Sequence, residues 1–226
     1  MSEGSSRFSL IDAIAIGFIG LLVAAAVIAV LPGLMARPYQ HGGRRQMPSN
    51  TQLRGVHQTM VVYAQNNGNW YPGFDRAGNM VDASVEYRYK VLLDANLITG
   101  DYLLSPTETK TEWTTGPVTR DNYSFAMLDV DAPGERAKEW QETLHAEAAL
   151  LSDRNTGSDT GSHISSVHTT TNKGDWRGSI AWGDNHTAFS TTHLLNTQYG
   201  SAPPLTNDNL FEDAGGYDAM MIYTGD

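Results

Sequence analysis

Four histidines, His163, His168, His186 and His193, fall within 31 residues of the C-terminal third, and neutral imidazoles are zinc ligands. Their spacing makes no His-Glu-x-x-His pair, and their flanks are rich in Ser, Thr and Gly, a loop composition. Oxygen ligands suit the region better, because calcium draws on the carboxylates, amides and carbonyls of Asp/Asn/Gly-rich loops. Two stretches qualify: Asp153-Arg-Asn155-Thr-Gly-Ser-Asp159, and Asn207-Asp208-Asn209 with Glu212, Asp213 and Asp218. Calcium candidates are therefore Asp153, Asp159, Asp208, Asp213 and Asp218. Neither stretch is an EF-hand loop, and an acidic surface loop is the alternative reading of both. Ser166 and His168 lie close in sequence, yet no Gly-x-Ser-x-Gly elbow, P-loop or dinucleotide fingerprint accompanies them. The residues offer no catalytic constellation, and the chain is read as a non-enzyme.

Charge narrows the partners. Against 25 Asp and Glu stand 15 Lys and Arg, a formal net charge of −10, and no basic stripe is present. Nucleic acid is thereby excluded as an expected partner. The absence of cysteine rules out disulfides, thiol nucleophiles and iron–sulfur clusters.

The dominant feature of the chain's organisation is Ala13–Ala36. These 24 residues contain no Asp, Glu, Lys, Arg or His, and about 20 apolar residues suffice to span a bilayer as a helix. The expected organisation is a short polar leader over 1–7, a membrane or filament-core helix over 8–36, a linker over 37–48 and a globular domain over 49–226. Two prolines bracketing Gly42-Gly43 predict a break at 37–48. A second helix should start at a Ser49 capping box, bury Leu53, Val56, Met60, Val61 and Ala64, and stop at Asn66-Asn67-Gly68. His57, beside that stripe, reads as a packing histidine. Further expectations are a helix over Glu86–Leu97, a strand over Asn122–Leu128, a surface helix over Glu135–Leu144 and a hairpin over 178–190 turning at Asp184-Asn185.

Three blocks carry a family resemblance. Phe8-Ser9-Leu10-Ile11-Asp12, opening the apolar run, resembles the mature start of type IV pilins and pseudopilins, where Phe-Thr-Leu-Ile-Glu is usual. Arg7 stands where that family's processing peptidase has glycine, and Pro32 lies about one turn beyond the family's helix proline. Asn50-Thr51-Gln52-Leu53-Arg54-Gly55 through Tyr71-Pro72-Gly73 is similar to the prepilin-like proteins abundant in planctomycetes. Asp184-Asn185-His186 within the 178–190 hairpin resembles their terminal Asp-Gly-His hairpin, with Asn185 in place of glycine.

The resemblance implies an α+β fold of type IV pilin-like architecture. In it a long N-terminal hydrophobic helix, interrupted near 37–48, packs on an antiparallel β-sheet ectodomain. It implies a subunit of a pilus-like filament or secretion pseudopilus, with Arg7, Phe8, Asp12 and Pro32 concerned in processing and assembly. Asp12 would pair with a neighbouring subunit's N-terminal amine; the alternative is that it sits in the headgroup layer at the helix start, where negative charge suits the helix dipole. The implied partners are copies of itself in a helical filament, an inner-membrane assembly platform, a prepilin peptidase, and membrane lipid before assembly. The implied location is the inner membrane, then a filament on the cell surface, with the ectodomain periplasmic or extracellular. Arg37, Arg44 and Arg45 against Arg7 would by themselves place the C-terminal side in the cytoplasm. Long domains translocate despite such bias, so the resemblance takes precedence. The alternative is a membrane-anchored extracytoplasmic binding domain that never polymerises.

Overall fold

Three short runs, Phe125–Leu128 (β1), Ala149–Asp153 (β2) and Gly178–Trp182 (β3), are buried at every position. Continuous burial marks strands covered on both faces. They form the middle of a five-stranded antiparallel sheet in the order β4-β3-β2-β1-β7, closed by Thr187–Ser190 (β4) and Met221–Ile222 (β7). A second, two-stranded sheet pairs Leu194–Thr197 (β5) with Leu205–Asn209 (β6). The computed structural model describes residues 43–131, 134–142, 145–157, 163–169 and 176–223.

The expected stripe on the first described helix is present. Helix α1 runs Gly43–Gln65 and lies on β2, β3 and β4. Leu53, Val56, Met60 and Ala64 on it are fully buried. Its stop is as expected, at Asn66-Asn67-Gly68, with Gly68 at φ +66°. Its start is not. The helix already holds at Gly43 and passes through Pro48, so the described part of the 37–48 linker is helical. Ser49, expected as the cap, is instead a buried side chain with its hydroxyl 3.4 Å from that of Ser105. Tertiary packing of the following turns has overridden the local breakers.

Helix α2, Val85–Asp94, is capped by the Ser84 hydroxyl, which accepts from Tyr87 N at 3.4 Å. It ends three residues before Leu97 because Asn96 turns left-handed at φ +52°. The Leu97 N–H reaches Leu92 O and the Asn96 N–H reaches Leu93 O, the paired bonds of a Schellman stop. The surface helix expected over 135–144 is a single turn, Glu135–Lys138 (α3), with Lys138 exposed but Arg136 turned into the core. Arg136 and Trp140, four apart, are both fully buried. The chain then leaves the helix to bridge Gln141 to Trp70.

These observations correct the expected α+β pilin-like architecture. Two antiparallel sheets organise the described residues, and helices are few. No described helix is long and apolar enough to cross a membrane. The longest, α1, is amphipathic: Arg54, Gln58 and Gln65 are exposed while Leu53, Val56, Met60 and Ala64 are buried. The 8–36 segment, on which the long apolar helix was expected, lies outside the described residues.

Candidate functional site

The hairpin motif and α1 meet at one histidine. His57, fully buried, hydrogen-bonds Asn185 Oδ1 through Nδ1 at 3.0 Å and the Tyr71 hydroxyl through Nε2 at 3.1 Å. Asn185 can only accept through that oxygen, so Nδ1 carries the proton and Nε2 accepts from Tyr71. Burial holds the imidazole down to about pKa 4, against the smaller upward pulls of the Asn185 bond and the Asp184 charge. The packing reading of His57 therefore stands, and its neutral ring joins α1, the 70–74 turn and the 183–186 loop.

Asn185 occupies the left-handed turn of the hairpin. It sits at φ +66°, a conformation that Asn tolerates, and it supplies the amide oxygen that His57 needs. Asp184 and His186 flank it at the exposed rim. The His186 imidazole contacts the Asp184 carboxylate and stacks on Trp182 with ring centres 5.6 Å apart. Burial pushes the Asp184 carboxyl up, but hydrogen bonds from His186 outweigh it and leave the group below its ordinary value.

The knot continues inward from Tyr71. Its ring meets Trp140 edge-on at 5.5 Å, and Trp140 Nε1 donates to Pro72 O at 2.7 Å. Arg88 lies 4.8 Å over the Trp140 ring and donates to Leu128 O at 2.8 Å. Gly73 is required there: at φ +104°, any Cβ would stand 2.8 Å from Asp82 O and 3.1 Å from Arg88 Cδ.

The calcium candidates divide into two places. Asp153, at the end of β2, accepts from Ser179 N at 2.6 Å, and its Oδ2 lies 3.2 Å from His168 Nε2. Asp208, Asp213 and Asp218 gather elsewhere, around Arg136. The guanidinium is 3.1 Å from Asp213, 3.4 Å from Asp218 and 3.5 Å from Asp129. Asp208 is bound by the Thr197 hydroxyl and by Ala219 N at 2.7 Å. Asp218 accepts from Ala214 N at 2.6 Å, and Asp213 from Gly215 N at 3.0 Å. Backbone N–H groups bind these acids and a buried arginine provides the nearby positive charge. Among the described residues, no three His, Asp or Glu side chains converge as a metal ion would require.

Asp159, Arg7, Phe8, Asp12 and Pro32 lie outside the described residues. Of the remaining histidines, His168 packs edge-on against Phe189, 5.5 Å between centres, and burial lowers the pKa of His193. His163 and His186 are exposed. The residue that sequence reasoning missed is Arg136, taken as part of a surface helix. The available signal was its i, i+4 spacing from Trp140, which would put both on one face of the expected 135–144 helix. Compared with known family models, with characterised proteins and with solved structures, the chain finds no match.

Proposed function

We propose that this chain is a structural subunit of a pilus-like filament or secretion pseudopilus, which works by assembly and not by catalysis. The observation that carries the proposal is the charge-free run Ala13–Ala36 placed directly after the lone acid Asp12. A single carboxylate beside so long an apolar stretch is costly in hydrocarbon unless it is paired. A neighbouring copy's N-terminal amine would provide that pair as apolar segments leave lipid for a filament core. The described domain is compatible with a passive, rigid outer body. Its buried His57, Arg88, Arg136 and Asp218 are engaged in internal hydrogen bonds or ion pairs and not presented to a substrate. The domain would be presented on the extracytoplasmic side.

Two measurements on the native host's protein test this. Intact mass and terminal sequencing should find a mature N-terminus at Phe8, as pilin-type processing requires. The charge reversal Asp12→Arg should abolish filaments seen by electron microscopy while leaving the protein level unchanged. Filaments that survive Asp12→Arg would remove the pairing role of Asp12, and a wild-type chain that forms no filaments would remove the assembly proposal in favour of a singly anchored binding domain.

A further inference from the structure

The two ends of the five-stranded sheet are finished differently. At β7 the outer edge is occupied: the Met221 N–H donates to Leu210 O at 2.7 Å, and Met220 bridges Phe211. At β4 the edge is open. The Trp182 N–H donates to His186 O, in register with the pairs Ile180–Ala188 and Gly178–Ser190, so the backbone groups of 186, 188 and 190 point inward to β3. Those of Thr187 and Phe189 therefore point outward, and among the described residues no backbone group meets them. Sheet edges are commonly guarded by Lys, proline or a bulge. Thr187–Ser190 carries no charge and no proline, and it pairs β3 without a register shift.

We infer that β4 pairs antiparallel with β4 of a second copy, about a two-fold axis at Ala188, joining two sheets into one. The strand is complementary to itself in this register. The outward groups of Thr187 exchange N–H···O bonds with those of Phe189 across the axis, and the axis repeats the exchange. Thr187 then stands beside Phe189, a β-branched residue against an aromatic one, and Ala188 faces Ala188. That self-facing pair is of the non-hydrogen-bonded kind, whose Cα atoms approach to about 4.5 Å, and Ala188 is both small and exposed. Charge favours the same partner. On a chain of formal charge −10, Asn185–Asn207 contains no Asp, Glu, Lys or Arg, so two copies meet at β4 without opposing like charges. Asp184, just outside the strand, would face Thr192. Helix α1 is centred on β3, the middle of the three strands it covers. Three strand spacings, about 14 Å, would separate it from its copy, more than packed helices require. The contact goes beyond the assembly reading and does not depend on it. A two-fold contact closes on itself between copies running in opposite directions, whereas a polar filament repeats copies in one direction.

The chain has no cysteine, so a single introduced thiol reports on its own neighbours. In the full-length protein in detergent micelles, Ala188→Cys should form a disulfide-linked dimer under mild oxidation. It should do so about tenfold faster than Thr114→Cys, an exposed control outside both sheets. Ala188→Lys and Ala188→Asp should each lower self-association measured by sedimentation, with wild-type melting curves. Mixing those two variants should restore it, because residue 188 faces its own copy. Equal crosslinking at 188 and 114, or a Lys–Asp mixture that associates no better than either variant alone, would overturn the pairing. Either result would leave the tests at Phe8 and Asp12 untouched.

Discussion

Two arginines, Arg88 and Arg136, are equally and fully buried, yet the protein neutralises them by opposite means. Among the described residues, Arg88 has no carboxylate in ion-pair contact. It rests on the Trp140 ring and a backbone carbonyl, and burial drags its pKa down to about 10, with Asp129 the chief opposing charge. Arg136 is ringed by Asp129, Asp213 and Asp218 and ties the loop after β6 to the turn of α3. Gly134 N-terminal to that turn is forced by closeness, since a Cβ there would stand 2.4 Å from Gly216 O. One cation is a filler of the aromatic knot around His57; the other is the hub that makes three acids tolerable. The difference teaches that removing a buried charge is costly in proportion to what it leaves behind, not to how deeply it sat.

The sharpest way to break the comparison is to replace each arginine by methionine and measure urea unfolding. Arg136→Met should lose about 3–5 kcal/mol, because Asp218, itself buried, is left without its cation. An equal loss at both positions would remove the distinction.

Acid should separate the two regions next. His57 has a folded pKa of about 4 against an ordinary value of 6.5, so its stability contribution is complete above 6.5 and declines as pH falls towards 4. The full decline is roughly 3 kcal/mol. Asp213 is held below its ordinary value by the Gly215 N–H and the Arg136 charge. Its contribution is present above its unfolded pKa and lost only as pH falls further, through its folded pKa. Stability measured from pH 7 to 4 should therefore fall in the wild type and stay flatter in His57→Gln. A wild-type curve that is level over that window would contradict the neutral, buried His57.

Arg88→Met should cost less than Arg136→Met, about 1–3 kcal/mol, since it strands the Leu128 carbonyl and loses one ring contact but leaves no acid unpaired. The smallest effect is expected from Asn185→Gly. Glycine accepts the left-handed turn but withdraws the oxygen bonded to His57, for a loss of about 1 kcal/mol in thermal unfolding.

The comparison also explains what could be read in advance. The apolar stripe of α1, its stop at Asn66-Asn67-Gly68 and the 178–190 hairpin followed from side-chain period and turn chemistry, and these elements are present. The start of α1 was misplaced because proline and glycine rules describe isolated helices, whereas Ser49 is held by packing against Ser105. Of the described calcium candidates, Asp153 and Asp208 lie in strands, and Asp213 and Asp218 in the segment between β6 and β7. Their partners, Arg136 at 77 residues from Asp213 and 82 from Asp218, and the Ser179 N–H at 26 residues from Asp153, could not be inferred from neighbouring positions.

By itself, then, the sequence determined what is local: an uncharged N-terminal run, the periodic faces of two helices, the hairpin's turn and a surplus of negative charge. Each depends on residues within a few positions of one another. The tertiary structure alone decided which charges are balanced and by what. It brought Arg136 to Asp218, His57 to Asn185 and Lys110 to Tyr223, pairs 82, 128 and 113 residues apart. Electrostatic energy depends on distance through space and on exclusion of water, and neither is encoded in spacing along the chain.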